Sequence, residues 1–229
     1  MKRYIRSAIT NIFDEPLDIQ HRLAMRSDTR PEMLDQLSRI PAWIVQAAVA
    51  RNPNTLPETL NRLAYEPDTD IRTAVARHPN TPENTLIWLA TRGTDEASAV
   101  AKNPNTPVDI LRKLAERNNV PINIELAYNP KTPADILDKI ADSDVSDTYE
   151  FELLSAVADN PSTSPETLDK LSNSSCVHYY VARNPNTPEA ALRRILETTD
   201  EEIARSIAEK RLKVYHEEIR KINSYKHNQ

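Results

Sequence analysis

Five histidines and one cysteine are the residues of this chain best suited to nucleophilic or metal chemistry, and their spacing supports neither. His21, His78, His178, His216 and His227 share no helix face with a cysteine or carboxylate at the spacing a zinc site needs. Cys176 has His178 two residues away, and residues two apart on a helix point in different directions. A lone cysteine excludes an intrachain disulfide framework and a cysteine-built metal centre. Gly93 is the single glycine, so the glycine-rich phosphate loops of P-loop and dinucleotide-binding proteins are absent. No nucleophile elbow or ordered Ser/His/Asp set is present. These residues predict no catalytic, metal or cofactor site. An enzyme with its site in a concave groove is the weaker alternative.

Binding chemistry has better candidates. Arg26, Arg51, Arg77, Lys102 and Arg183 each stand directly before a turn, and a row of cations could track phosphates. The dipole of a helix C-terminus explains such cations equally well. Tyr128 and Asp159 interrupt the row. A second basic row comprises Arg62, Lys113, Lys139, Lys170 and Arg194, and four of these have an acid four residues earlier (Glu58, Asp109, Asp135, Glu166). That orientation predicts helix-stabilising pairs within one helix. Trp88 replaces a base in this row while Asn84 replaces its acid, and Tyr179 stands where other copies carry Thr73, Ser98 or Ser155. Large aromatics at otherwise polar positions suit partner anchors. The candidate partner-binding residues are therefore Trp88, Tyr128, Tyr179, Arg51, Arg77, Lys102 and Arg183.

The elements that position them come from an internal repeat. Thr29, Thr55, Thr81, Thr106, Thr132, Thr163 and Thr187 follow one another at steps of 26, 26, 25, 26, 31 and 24 residues. A period of this size is the mark of a solenoid, whose units bury their apolar faces by stacking. Within one unit, Ile71, Ala74 and Val75 share a helical face; Pro79 ends that helix; Leu86, Leu89 and Ala90 form the next. Each Thr is expected to be the N-cap of the second helix, with proline in its first turn. A leucine lies five residues after every Thr, from Leu34 to Leu192. Ala50, Ala76, Ala101, Ala127, Ala158, Ala182 and Ala208 recur at one register, which predicts close backbone approach between successive units. The asparagines at 52, 103, 129, 160 and 184 are expected to bond turn backbone.

The run Ile71-Arg72-Thr73-Ala74-Val75-Ala76 followed by Arg77-His78-Pro79-Asn80-Thr81-Pro82, and the stretch from Asn103-Pro104-Asn105-Thr106-Pro107 through Leu111 to Leu114-Ala115, resemble the leucine-rich repeat variant (LRV) family. The resemblance covers residues 17–208. It implies an all-α, right-handed superhelical solenoid of two-helix repeats, alternating α and short or 3-10 helices, without β-sheet. It implies no catalytic activity. Some relatives bind an iron–sulfur centre through an N-terminal cysteine cluster, but residues 1–20 here contain no cysteine, so that cofactor is not carried over.

One solenoid domain over residues 1–229 is expected, with residues 1–14 as an N-terminal helical cap, repeats over 15–208 and a capping helix over 199–224. Thr199 and Glu202 predict a capping box for that last helix, and Leu212, Tyr215, Ile219 and Ile222 an apolar seam. The acidic stretch 142–150, which accounts for the long step, reads as a solvated loop rather than a calcium site. A net charge of −5 gives no general attraction to nucleic acid or anionic membrane, and no apolar run approaches the ~20 residues of a membrane span. The basic N-terminal residues lack an apolar segment behind them, so a cytoplasmic location is expected. The function expected is a non-catalytic repeat scaffold that binds another protein. The alternative is nucleic-acid binding along Arg26, Arg51, Arg77, Lys102 and Arg183.

Overall fold

Prolines at the ends of short apolar runs cut this sequence into helices too brief to be stable alone, so each must find neighbours. The computed structural model describes residues 11–143 and 147–227. Among them are fifteen α-helices and no strand. The chain divides into two compact units, Met1–Leu114 and Ala115–Gln229.

In the first unit, α1 (Leu17–Met25), α3 (Trp43–Arg51), α5 (Thr69–Arg77) and α7 (Thr94–Lys102) are the first helices of successive repeats, and each packs on the next. The second helices α2 (Pro31–Leu37), α4 (Pro57–Leu63) and α6 (Glu83–Leu89) lie between them in sequence and touch the first helices on either side; α8 (Val108–Ala115) closes the series. In the second unit, α9 (Val120–Tyr128), α11 (Asp147–Asp159), α13 (His178–Arg183) and α15 (Glu202–His227) pack in the same consecutive way, with α10 (Ala134–Ala141), α12 (Pro165–Leu171) and α14 (Glu189–Thr198) between. The leucine after each Thr is buried in all seven copies, and every alanine of the recurring register is fully buried.

The second helices are α-helices rather than 3-10 helices, closed by bonds such as Leu60 N to Leu56 O (3.0 Å) and Leu168 N to Ser164 O (3.0 Å). Geometry of the 3-10 kind appears as single turns, at Ile12–Asp14 and Ser175–Val177. The latter precedes the six-residue α13, and it tightens the shortest repeat.

The recurring threonines do not cap the second helices. Their hydroxyls instead donate backwards, each to the carbonyl six residues earlier: Thr29 to Leu23, Thr55 to Val49, Thr81 to Val75, Thr106 to Val100, Thr132 to Leu126, Thr163 to Val157 and Thr187 to Val181, at 2.5–2.6 Å. Those carbonyls lie in the last turn of the first helix, and each also accepts the N–H of the C-cap residue, as Val75 O does from His78 N (3.0 Å). The N-cap falls one residue later, on Pro82, Pro133, Pro188 or Ser164, and the Ser164 hydroxyl accepts from Thr167 N (3.1 Å).

The turn asparagines bind backbone, but mainly that of the preceding repeat. Asn52 Nδ2 donates to Ala24 O and Arg26 O, and Asn103 Nδ2 to Ala76 O and His78 O, at 2.7–2.9 Å. Asn160 reaches Ala127 and Asn129, and Asn184 reaches Ala158 and Asn160, in the same range. His78 takes the asparagine's place in both roles: Nε2 meets Asn52 O at 2.9 Å while Nδ1 accepts from Asn80 N at 3.0 Å. The Nε2–H tautomer alone satisfies both bonds. At the last step Arg211 of α15 substitutes, donating to Ala182 O (2.9 Å), Asn184 O and Pro185 O (2.9 Å).

The edges depart from expectation in detail. Residues 1–10 of the expected N-terminal helix lie outside the described residues; Ile12 is buried, and its carbonyl accepts from Gln20 Nε2 (3.0 Å). The capping box at Thr199 does not form. Its hydroxyl accepts from Glu201 N, and Glu201 O takes the first helical bond from Arg205 N. Ala204, Ala208 and Leu212 of α15 are buried against α13 and α14, Val214 and Tyr215 are exposed, and the side chains of Ile219 and Ile222 lie outside the described residues. Of the acidic stretch, residues 144–146 also lie outside, Asp142 pairs with Lys170 (3.3 Å), and residues from Asp147 onward extend α11.

Candidate partner-binding surfaces

Once the threonine, alanine and asparagine positions are assigned to the scaffold, the last turn of each first helix still presents a side chain outward, four residues before the Thr. In the first unit this position holds Arg51, Arg77 and Lys102, all exposed. Four residues earlier on the same helices stand the small residues Ala47, Thr73 and Ser98. Arg26 belongs elsewhere: it lies three residues before Thr29, at the register of Asn52, and forks onto Asp28 at 2.9 and 2.8 Å. The outward position of α1 is Met25.

The second unit fills the same register with Tyr128, Asp159 and Arg183. Arg183 is not a free cation. It pairs with Asp159 Oδ1 at 2.5 Å and its Cζ lies 5.7 Å from the centroid of the Tyr179 ring. Hydrogen bonds to Asp159 and then Tyr179 raise its pKa. The half-buried Tyr179 meets Tyr180 edge-on at 5.2 Å, and Tyr180 meets Phe151 at 6.2 Å, a chain of T-shaped contacts. Tyr128 is half exposed, and its phenol is pushed above its ordinary pKa by burial first and then by Glu152, Tyr180, Glu125 and Asp159. The structure thus brings Tyr128, Tyr179 and Arg183 to the adjoining helices α9, α11 and α13, and adds Phe151, Glu152 and Tyr180. Phe151 had a periodic signal: it lies twelve residues before Thr163, as the exposed Trp43 lies before Thr55.

Trp88 stands apart, on α6. It meets Tyr65 with ring centroids 4.5 Å apart and planes tilted by 46°, and the Arg92 guanidinium sits 4.0 Å above its ring. The indole is half-buried. The rest of its row explains the substitution. Arg62 does not pair with Glu58 in its own helix but with Asp35 of the preceding repeat (2.7 Å), and also meets the Ser38 hydroxyl. Arg194 likewise reaches back to Asp169 (2.9 Å), and Lys170 to Asp142. Burial pushes the Asp35 carboxyl up, but hydrogen bonds from Arg62, Thr59 and Arg39 outweigh it and hold the pKa below the usual range. Trp88 on Tyr65 replaces such an inter-repeat ion pair by an aromatic one.

Catalytic arrangements are few. Cys176 is exposed, whereas His178 is buried with Nε2 at 3.0 Å from Ser172 O, so the two form no pair. His216 meets Glu189 at 3.2 Å, a juxtaposition 27 residues apart in sequence, but Arg193 shares the same carboxylate oxygen at 2.5 Å. The Arg193 and His216 hydrogen bonds hold the Glu189 pKa down, which suits an ion-pair network. Among the described residues no group of three or more His, Cys, Asp or Glu could hold a metal ion, and no helix is long and apolar enough to cross a membrane.

No protein-family model, curated protein or solved structure matches the chain.

Proposed function

We propose that this chain is a non-catalytic repeat scaffold of the LRV kind, its repeats forming right-handed superhelical solenoid segments, and that it binds another protein. The observation that carries the reading is the division of labour within each repeat. Threonine, alanine and asparagine positions are buried in structural bonds, while one outward register along the first helices is exposed and changes character from copy to copy. Consecutive helix contacts and the quoted LRV-like runs support the architecture. Exposed Tyr and Arg side chains at that register, Tyr128, Arg51, Arg77 and Arg183, are of the types that serve as interface anchors.

Nucleic-acid binding is disfavoured because the proposed cationic row shrinks. Arg26 is out of register and paired with Asp28, and Arg183 is paired with Asp159. Without those two the row offers at most three phosphate contacts, which would give a log–log salt slope of about −3. The test is affinity capture with the tagged chain from its source cells, with and without nuclease, beside direct titration of duplex DNA. The expected result is a protein that survives nuclease treatment and is captured less well by Trp88→Ala, whose melt shifts by only about 0.5–1.5 kcal/mol for the lost ring contacts. Nuclease-sensitive capture, with duplex binding that collapses in the Arg51/Arg77/Lys102 triple alanine variant, overturns the proposal.

A further inference from the structure

The face made by α9, α11 and α13 already holds one arginine, and how it holds it indicates what else would fit. The Arg183 guanidinium lies over the Tyr179 ring and donates from Nη2 to Asp159 Oδ1. Aromatic face plus carboxylate is a complementary environment for a planar cation, which stacks through its π-system and pairs in its own plane. The adjoining part of the face repeats the two ingredients. Tyr128 is 50% exposed, Phe151 is 50% exposed, and Glu152 is exposed beside it on α11. Glu152, Glu125 and Asp159 all lie near enough to Tyr128 to raise its pKa, after the effect of burial itself, so the field around that phenol is negative. Tyr180 links the two parts, since it touches both Tyr179 and Phe151. Among the described residues, no salt bridge to a basic side chain involves Glu152.

We infer that this face of the second unit is a docking surface for an arginine-bearing basic segment of a partner protein, with an incoming guanidinium stacked on Tyr128 and paired with Glu152 as Arg183 is with Tyr179 and Asp159. The inference rests on the protein-binding reading above and names the chemistry of the partner. Arginine is favoured over lysine because an ammonium is a compact, strongly hydrated charge that gains less from a ring face. The edge-to-face contacts of Tyr179, Tyr180 and Phe151 hold the rings in place before binding, which reduces the ordering cost. An acidic peptide, or the phosphates of a nucleic acid, would meet the same carboxylates as repulsion.

The experiment uses the full chain and three fluorescent eight-residue peptides, alternating Gly with Arg, Lys or Glu, titrated by anisotropy at physiological salt. The Arg peptide is expected to bind, the Lys peptide about 3–10-fold more weakly, and the Glu peptide not at all. Tyr128→Ala and Glu152→Gln should each weaken the Arg peptide by about 5–10-fold without moving the melt. Glu58→Gln, the same charge change at an exposed site of the first unit, should leave binding unchanged. Equal effects of Glu58→Gln and Glu152→Gln would mean general attraction to an acidic protein and overturn the docking site. So would wild-type peptide binding by Tyr128→Ala. Sedimentation velocity completes the test: self-association lost in Tyr128→Ala, with no peptide binding, would assign the face to a second copy instead. In each of these failures nuclease-resistant capture of a protein partner would still stand or fall separately.

Discussion

The two units share a scaffold and differ in what they show to solvent. At the outward register of the first helices one unit carries Arg51, Arg77 and Lys102 beside small residues; the other carries Tyr128, Asp159 and an ion-paired Arg183 among aromatic rings. Beneath those surfaces the bonds are the same. Thr106 and Thr163 both close the helix before them, and Asn103 and Asn160 both clamp two carbonyls of the preceding repeat. A buried position whose side chain completes a backbone hydrogen bond has few acceptable replacements, because an unmet carbonyl inside the protein costs free energy wherever it occurs. An outward position obeys no such rule. The constancy of one set and the divergence of the other make the outward register of the first helices the part of the repeat that varies most.

The comparison breaks if the clamps turn out to be unequal. Asn103→Ala in the first unit and Asn160→Ala in the second each strand one buried carbonyl (Ala76 O or Ala127 O) and the turn N–H that bonds the asparagine Oδ1 (Asn105 or Ser162), at about 1–3 kcal/mol per unsatisfied group, while His78 O and Asn129 O keep their bonds from Thr81 N and Thr132 N. Losses of about 2–5 kcal/mol are expected for both variants in denaturant melts. Near-wild-type stability for either one would show that its clamp is not structural in that unit.

A smaller effect separates two accounts of the threonines. An N-cap side chain accepts hydrogen bonds, so aspartate would replace it well. The observed Thr106 hydroxyl donates to Val100 O and is fully buried. Thr106→Ser should therefore stay within about 1 kcal/mol of wild type, and Thr106→Asp should lose more, since a carboxylate would face a carbonyl oxygen in the interior. A neutral or stabilising Thr106→Asp, by urea unfolding, would restore the N-cap account. Thr163→Asp should behave alike in the second unit.

This threonine shows where sequence reasoning stopped. The period, the buried leucines and the buried alanines were legible because apolar spacing reports burial directly. Thr106 stands between two helices, and a hydroxyl can serve either one: it can donate to the end of the first or accept from the start of the second. Sequence supplies the residue but not the direction of the bond. Arg62 and Glu58 stand at the spacing of an intrahelical pair, yet Asp35 of the neighbouring repeat takes the guanidinium, together with Thr59 and Ser38 in one partly buried network. Stacking creates partners that no local spacing reveals. Tyr128 and Tyr179 were visible as departures from the repeat, whereas Phe151 lies within the irregular 31-residue step, where its periodic place shows only when counted back from Thr163.

The smallest effect distinguishes the units by pH. The first unit has His78 in its column of turn asparagines; the corresponding clamps Asn160 and Asn184 of the second cannot titrate. In the fold the imidazole is buried, donates from Nε2 to Asn52 O and accepts at Nδ1 from Asn80 N. Protonation would place a second N–H at Nδ1, facing a donor. Burial lowers the His78 pKa from 6.5, with the backbone bond to Asn52 opposing in part. The unfolded chain therefore binds the proton at higher pH than the folded one. Stability from this site is complete above the unfolded value of about 6.5 and is lost as pH falls through it toward the lower folded value. His78→Asn should preserve the clamp and remove that component, so the difference in melting temperature between variant and wild type should grow in the variant's favour as pH falls below about 6.5. Parallel pH profiles would mean that His78 is not held neutral, and the column of turn residues would then be indifferent to charge at that step.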